Sequence, residues 1–284
     1  MKLFSCLFLL CASASAHPFQ PPEYAIYENQ AYVHGGGPVQ EGEARQVMDV
    51  YVPEGETSPM PGILLLHGGS WSSGSKKDIQ DLSFLSRKKL VVAFANYRLN
   101  EKDEPSDEQM EDVHSMLRFL NVSASKFNLN PSKLVIGGFS AGGHLAALGG
   151  LTAGNGSFAD IPGVAGIVMW SAPPGSYGDP KFNLAQYVQP ASPPFLILHG
   201  RRDTTVPIFF LEEFSGILKA RGVKVRLSSS FGMHVPTEYE KQSQGKELVS
   251  FVKNPGGGGW WKLIAFLIAI VLVVLAKIFW TKQA

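Results

Sequence analysis

The sequence predicts an α/β fold in which helices cover both faces of a mostly parallel central sheet. Short runs of β-branched and aliphatic residues alternate with segments of helical periodicity along residues 46–252. Several of these runs are apolar throughout, which is typical of strands that are buried on both faces. Glycine-rich and polar motifs directly follow the runs, and in parallel sheets functional sites form at the carboxyl ends of the strands.

The predicted elements follow one another in regular order. Strands are expected at residues 46–52, 63–66, 91–95, 134–136, 164–170, 195–198 and 224–228. Helices are expected at residues 79–86, 105–120, 141–148, 208–218 and 237–252. The proline- and glycine-rich residues 17–43 show neither periodicity, and we expect a loosely structured lead-in that lies over the domain.

Both ends of the chain are predicted to lie outside this domain. Residues 1–16 combine a lysine, an apolar run and Ala14-Ser15-Ala16, which is typical of a secretory signal peptide. Residues 260–280 are apolar, carry tryptophans at both ends and match a hydrocarbon core of ~30 Å. A signal for a glycolipid anchor is the weaker alternative, because the chain does not end in apolar residues.

These segments predict a single-pass type I membrane protein with a luminal or extracellular domain. The expected order is a signal peptide at 1–16, the folded domain at 17–253 and a glycine-rich linker at 254–259. A transmembrane helix at 260–280 and a short cytoplasmic tail at 281–284 complete it.

Composition excludes several classes of function. The chain of 284 residues has a formal net charge of +1 and no basic cluster, which argues against a nucleic-acid partner. Its two cysteines, Cys6 and Cys11, lie in the predicted signal peptide, so disulfides and thiolate chemistry are not expected in the domain. No metal-ligand spacing or dinucleotide fingerprint occurs, and no cofactor is expected. Sequons at Asn121 and Asn155 allow glycosylation.

One motif indicates nucleophilic chemistry. The residues Gly138-x-Ser140-x-Gly142 follow a predicted strand and precede a predicted helix. This pattern is typical of the nucleophile elbow of serine hydrolases, in which glycines remove the collisions that a sharp turn would cause. A glycine-rich turn without catalytic function is the alternative, and the rest of the chain must supply a base, an acid and an oxyanion hole.

Three histidines follow Ser140, and His234 is the predicted base. His144 lies one turn along the helix that Ser140 begins, and we expect it to be structural. His199 ends a strand before a glycine and is the second alternative. His234 lies in a loop between a strand and the last helix, from which an imidazole can reach the serine.

The acid is expected between Ser140 and the base. Asp203 closely follows the strand at 195–198, where a carboxylate is held rigidly against an imidazole N–H. Asp179, in a proline- and glycine-rich stretch, is the alternative. The predicted triad is therefore Ser140, His234 and Asp203.

Backbone N–H groups are predicted to form the oxyanion hole. One belongs to Ala141, directly after the nucleophile, and the others to Gly68 and Gly69 after the strand at 63–66. Trp71, just beyond, is expected to form a wall of the substrate pocket or to belong to the core.

Together the motifs resemble the α/β-hydrolase esterases of the HGG type, closest to the feruloyl- and acetyl-xylan-esterase-like, hormone-sensitive-lipase-like branch. The resemblance rests on Met48-Asp49-Val50-Tyr51, His67-Gly68-Gly69-Ser70-Trp71, Asn96-Tyr97-Arg98-Leu99, Gly138-Phe139-Ser140-Ala141-Gly142-Gly143-His144, and His199-Gly200 with Asp203 and Val206-Pro207. It implies the α/β-hydrolase fold, with a small cap because the connection at 172–194 is short. One departure is that Val235-Pro236 follows His234, where the family often has Gly-Phe.

The resemblance and the triad predict a membrane-anchored carboxylic-ester hydrolase acting on small or medium acyl or aryl esters. An amidase or formamidase of the same fold is one alternative. A non-catalytic surface binding protein on a hydrolase fold is the other. The sequence leaves the oligomeric state and the physiological substrate open.

Overall fold

A computed structural model describes residues 24–33, 45–175 and 179–257. The strands in these ranges form one eight-stranded sheet. The strand order is β1-β2-β4-β3-β5-β6-β7-β8. The strands are β1 (Tyr24–Ala31), β2 (Val47–Pro53), β3 (Met60–Leu66), β4 (Val91–Ala95), β5 (Leu129–Phe139), β6 (Gly166–Trp170), β7 (Phe195–Gly200) and β8 (Val225–Ser230).

Only β2 among the described strands runs against the others, since it pairs antiparallel with both β1 and β4. From β4 to β8 every pairing is parallel, and β3 lies between β4 and β5. The carboxyl ends of β3, β5, β6, β7 and β8 therefore meet at one edge of the sheet.

Four α-helices and a long 3-10 helix cover the two faces of the sheet. The helices are α1 (Asp107–Val122), α2 (Ala141–Thr152), α3 (Ile208–Ala220) and α4 (Glu238–Lys253), and the 3-10 helix spans Lys76–Lys88. Apolar residues of α1, α2 and α3 share one core with Leu64 and Leu66 of β3. Those of α4 and the 3-10 helix share the other with Ile63 and Leu65. This alternation along β3 is the period of a strand that is buried on both faces.

One local prediction is wrong and another is incomplete. Residues 17–43 include strand β1, which sequence periodicity did not reveal because most of its side chains are partly buried without a regular alternation and the strand is irregular. Its register shifts between Tyr27 and Gln30, where Asn29 has a φ of 48°. The segment at 79–86 is a 3-10 helix that extends from Lys76 to Lys88, although its apolar side chains face the core as expected.

The connection between β6 and β7 is short, as a small cap requires. Its described residues form two single-turn 3-10 helices, Pro180–Phe182 and Leu184–Gln186. The buried His144 imidazole donates from Nε2 to the Phe182 carbonyl at 2.8 Å and so ties this connection to α2.

The transmembrane part of the predicted architecture is contradicted. Across residues 24–33, 45–175 and 179–257, no helix is long and apolar enough to span a bilayer. The longest α-helices, α1 and α4, have 16 residues each and carry charged side chains, whereas a span needs about 20 mainly apolar residues. The single-pass type I localisation rested on that helix and is withdrawn with it. The segment at 260–280, like the signal peptide at 1–16, lies outside the described residues.

Candidate active site

Ser140 lies at the sharp turn between β5 and α2. Its φ of 52° and ψ of −123° belong to a conformation that few non-glycine residues adopt. A Cβ on Gly138 would come within 2.5 Å of the Gly142 backbone, and a Cβ on Gly142 within 2.1 Å of the His67 carbonyl oxygen. Both glycines are therefore required sterically by this turn.

Ser140, His234 and Asp203 come together at the carboxyl edge of the sheet. The Ser140 Oγ lies 3.0 Å from Nε2 of His234, whose Nδ1 lies 2.8 Å from Oδ2 of Asp203. Because a carboxylate only accepts hydrogen bonds, Nδ1 carries the imidazole proton in this arrangement. The lone pair of Nε2 then faces the serine hydroxyl, as a general base requires.

Asp203 is fixed by its own turn. Its side chain is fully buried, and Oδ1 accepts hydrogen bonds from the backbone N–H groups of Thr205 at 2.9 Å and Val206 at 2.8 Å. Oδ2 is left for His234. Such a carboxylate cannot rotate without losing these hydrogen bonds, so it holds the imidazole in one orientation.

The other two candidate bases do not face the serine hydroxyl, although the Nε2 of His199 lies 3.5 Å from Asp203 Oδ2. His144 is fully buried in α2, and burial lowers its pKa to about 4 in spite of the hydrogen bond to Phe182. His199 is also buried, and it donates from Nε2 to the Val206 carbonyl at 2.8 Å. Burial lowers the pKa of His199 as well. Neither ring makes a hydrogen bond to the Ser140 hydroxyl, so neither is placed to take its proton.

The loop that carries Gly68 and Gly69 lies beside the nucleophile. A Cβ on Gly68 would come within 3.2 Å of the Ser140 Cβ, so the backbone approaches the serine closely. Gly69 has a φ of 118°, and a Cβ there would meet the Ser73 carbonyl oxygen at 2.2 Å. Ala141 is the first residue of α2, whose first N–H groups have no intrahelical acceptor. Gly68 and Ala141 thus lie directly beside the serine, and Gly69 follows Gly68 in the same loop.

His67 and Tyr97 hold this loop from below. Their rings stack with centroids 4.2 Å apart, and the Tyr97 hydroxyl donates to the His67 carbonyl at 2.9 Å. His67 Nδ1 donates to the Gly68 carbonyl at 2.7 Å. Burial lowers the pKa of His67 to about 4, so its ring is neutral near pH 7 and supports the loop structurally.

Trp71 is buried in the core and not at an open pocket. Its side chain is 4% exposed, and its ring meets His144 edge-on with centroids 5.5 Å apart. Its carbonyl accepts hydrogen bonds from Gln109 Nε2 at 2.7 Å and from the Asn100 N–H at 2.9 Å. Trp71 therefore anchors the glycine loop to the core and to α1.

The loop that carries His234 is held by Glu240, a residue of the N-terminal cap of α4. Glu240 accepts hydrogen bonds from the Ser230 hydroxyl and from the Thr237 N–H and hydroxyl. Burial acts to raise the pKa of Glu240, but hydrogen bonds from Ser230, Thr237 and the Gly232 backbone outweigh it and lower the pKa. The capping-box spacing of Thr237 and Glu240 is the sequence pattern that indicates this pair of hydrogen bonds.

Sequence comparison relates the chain to esterases. The profile of the BD-FAE family matches residues 48–163. Esterase LipC of Mycobacterium tuberculosis is 27% identical over 70% of this chain and 59% of its own length. A probable isoprenylcysteine alpha-carbonyl methylesterase of Oryza sativa is 23% identical over 81% of this chain and 61% of its own. Arylacetamide deacetylase of Bos taurus is 38% identical over 34% of this chain and 26% of its own.

The chain spans less than two thirds of the length of each of these relatives. Solved structures with the same fold match it more completely. A truncated carbohydrate esterase from gut microbiota superposes with a TM-score of 0.67 at 21% identity, covering 81% of this chain and 97% of its own. Thermogutta terrifontis esterase 2, phosphorylated by paraoxon, also has a TM-score of 0.67, at 20% identity, covering 84% and 97%.

Proposed function

The chain belongs to the α/β-hydrolase superfamily, in its hormone-sensitive-lipase-like esterase branch, and we propose that it is a serine hydrolase that cleaves carboxylic esters. The substrates are small or medium acyl or aryl esters. The observation that carries the proposal is the unbroken hydrogen-bond chain from Ser140 through His234 to Asp203.

Acylation begins at the serine. The Ser140 Oγ attacks the carbonyl carbon of the ester while Nε2 of His234, 3.0 Å away, takes the hydroxyl proton. The imidazolium is stabilised by Asp203 through Nδ1–H. When the tetrahedral intermediate collapses, the C–O bond to the alcohol breaks and His234 returns the proton to the leaving oxygen. The products are a free alcohol and an acyl group on Ser140.

Deacylation repeats these steps with water. His234 takes a proton from water, and the resulting hydroxide equivalent attacks the acyl carbon. The bond to Ser140 Oγ then breaks, and His234 protonates the serine. The carboxylic acid leaves and the free enzyme is restored.

The negative charge of both tetrahedral intermediates falls on one oxygen. The N–H groups of Gly68, Gly69 and Ala141 are the donors assigned to it. Removing one donor of this kind typically costs about 3–4 kcal/mol, or 10²–10³ in kcat. Because all three are backbone groups of a glycine loop and a helix start, they require no reorganisation during the reaction.

The proposal is tested with the purified chain and a substrate panel. Short-chain p-nitrophenyl esters and feruloyl esters represent the proposed class, and N-formylkynurenine and matched anilides represent an amidase or formamidase. We expect ester turnover that exceeds amide turnover and is lost in Ser140→Ala. Faster cleavage of the amides favours the amidase, and no turnover of any substrate favours a binding protein.

A further inference from the structure

An apolar recess is lined by residues that adjoin Ser140 and His234 in the chain. It has a volume of ≈ 70 Å³ and is lined by the side chains of Ile79, Leu82, Phe139, Trp170, Val235 and Pro236. Ile79 and Leu82 come from the 3-10 helix that follows the glycine loop, and Trp170 ends β6.

Three of its walls are tied to catalytic residues. Phe139 precedes Ser140, and its ring centroid lies 5.3 Å from that of His234. The Trp170 carbonyl accepts a hydrogen bond from the Ser140 N–H at 2.9 Å. Val235 and Pro236 directly follow His234. The walls of the recess are therefore connected to both the nucleophile and the base.

The position favours one end of the ester. His234 must deliver its proton to the leaving oxygen, so the alcohol group has to lie on the His234 side of the tetrahedral carbon. The recess is built against the His234 ring by Phe139 and continues under Val235 and Pro236. The recess therefore lies on the side of Ser140 that faces His234 and its loop, and we infer that the alcohol departs towards it.

The charged residues at the rim of the recess already have ion-pair or hydrogen-bond partners. Asp81 forms an ion pair with Lys241, and Asp78 accepts the Ser75 N–H at 2.7 Å. Ile79 and Leu82 are buried below them. The interior thus offers apolar contact to a neutral group, while the Asp78 carboxylate at the rim disfavours an anionic one.

The volume limits the size of the group. An engineered apolar cavity that holds benzene has about 150 Å³, and one liquid water occupies about 30 Å³. The recess is about half the size of the benzene cavity, so it holds roughly two or three carbon atoms.

From these observations we propose that the recess is the alcohol-binding subsite and selects esters of short, neutral aliphatic alcohols, with Leu82 and Val235 setting the chain-length limit. This inference rests on the proposed ester-hydrolase function. It also explains the departure from the family pattern after His234, because Val235-Pro236 forms one wall of the subsite.

Two ester series test the proposal by kcat/KM. One varies the alcohol, from methyl to hexyl acetate, and the other varies the acid, from methyl acetate to methyl hexanoate. For the alcohol series we expect about a fourfold rise per added methylene until the recess is full, near propyl, and then a plateau. Leu82→Ala moves the plateau to butyl or beyond, and the ratio of variant to wild type stays constant along the acid series.

A second recess variant and a control variant accompany Leu82→Ala. Val235 is 65% exposed, so Val235→Ala tests the opposite wall with little risk to folding. Leu85 lies on the same 3-10 helix and is buried, but it does not line the recess. Leu85→Ala is therefore expected to leave both chain-length profiles parallel to wild type.

Each possible result of the two ester series either supports or overturns the assignment of the recess. A longer plateau in the alcohol series for Leu82→Ala or Val235→Ala supports the assignment. Unchanged profiles in both folded variants, or a change confined to the acid series, overturn it while leaving the ester hydrolase intact. A wild-type chain that hydrolyses neither series overturns the proposed function and this inference together.

Discussion

Asp203 orients His234 with one carboxylate oxygen while the other is held by two backbone N–H groups. In Asp203→Asn the amide still fits this turn, but it offers His234 an N–H where an acceptor is needed. The imidazole then favours the tautomer with the proton on Nε2, which cannot accept the serine proton. We predict a fall in kcat of about 10⁴ with p-nitrophenyl acetate.

The matched control for this substitution is Asp179→Asn. Asp179 is the other aspartate that the sequence allowed as the acid, and it lies in the exposed connection with its Oδ1 accepting the Lys181 N–H. We expect Asp179→Asn to keep kcat within a factor of two or so of wild type. Equal losses in the two variants would show that Asp203 has no special role.

The buried His144 makes stability depend on pH. Burial lowers its pKa to about 4 in the folded chain, whereas in the unfolded chain the pKa is about 6.5. The unfolded chain therefore binds the proton first as pH falls, so the contribution is complete above about pH 6.5 and is lost towards pH 4.

The size of this effect can be isolated with His144→Gln, which keeps an N–H donor for the Phe182 carbonyl. Between about pH 7 and about pH 4.5, wild type should lose about 2–3 kcal/mol more free energy of unfolding than the variant. Urea denaturation at the two pH values measures the difference. Identical losses would mean that His144 is protonated in the folded chain.

At the residue scale, the sequence indicates the candidate triad but not the residues that support it. Ser140, Asp203 and His234 are predicted from a short motif and from chain order, because the proposed chemistry requires particular residue types. Tyr97 and Gln109 support the glycine loop across 30 and 38 residues of sequence. No local pattern connects residues so far apart, and only the fold brings them together.

The cap of α4 links an element to the base. Thr237 accepts the Glu240 N–H, and Glu240 in turn binds Thr237 and Ser230, on both sides of His234. Thr237→Ala should cost about 1 kcal/mol of stability. Because the His234 loop loses one anchor, kcat should also fall, by roughly tenfold.

The N-cap of α1 provides a control with the same local chemistry. Ser106 and Gln109 form the same reciprocal pair of hydrogen bonds. Ser106→Ala should lower stability by a similar amount, with kcat close to wild type. Thermal unfolding and p-nitrophenyl acetate kinetics on both variants separate stability from positioning, and parallel losses of kcat would contradict the role given to Thr237.

A buried ion pair fastens the 3-10 helix to the sheet. Lys76 Nζ lies 2.8 Å from Oδ2 of Asp49 on β2, and both side chains are 4% exposed. Lys76→Ala leaves a buried carboxylate without its cation, and we predict a loss of about 3–5 kcal/mol. The exposed pair of Lys181 and Asp107 has the same 2.8 Å distance, yet Lys181→Ala should cost at most about 1 kcal/mol. Equal costs in chemical denaturation would contradict this account.

Elements with a strong apolar period were predicted closely, and the exceptions have physical causes. The interior strands β4 and β6 are unbroken apolar runs in the sequence because helices cover both faces of the sheet. Strand β1 lies at the edge of the sheet, and its sequence mixes polar and apolar residues without a strand period. The sequence therefore predicted a loosely structured segment there. The helical period at 79–86 placed Ile79 and Leu82 on the buried side, but period alone did not distinguish a 3-10 helix from an α-helix.

At the scale of the whole molecule, parallel pairing explains why residues from distant parts of the chain share one site. The glycine loop follows β3, Ser140 follows β5, Asp203 follows β7 and His234 follows β8, and all four strands end at the same edge. The sequence predicted this edge from where its motifs stand. It did not predict the recess, which depends on packing between the 3-10 helix, β6 and the His234 loop.

The central claim is that Ser140 is a nucleophile activated by His234, and covalent labelling tests it most directly. Wild type, Ser140→Ala and His234→Ala would be treated with a fluorophosphonate, and the adduct located by mass spectrometry of peptides. We predict one adduct on the peptide that contains Ser140 in wild type, none in Ser140→Ala and a rate lower by several orders of magnitude in His234→Ala. Labelling of Ser140→Ala at the wild-type rate, or a wild-type chain that does not react, would contradict it.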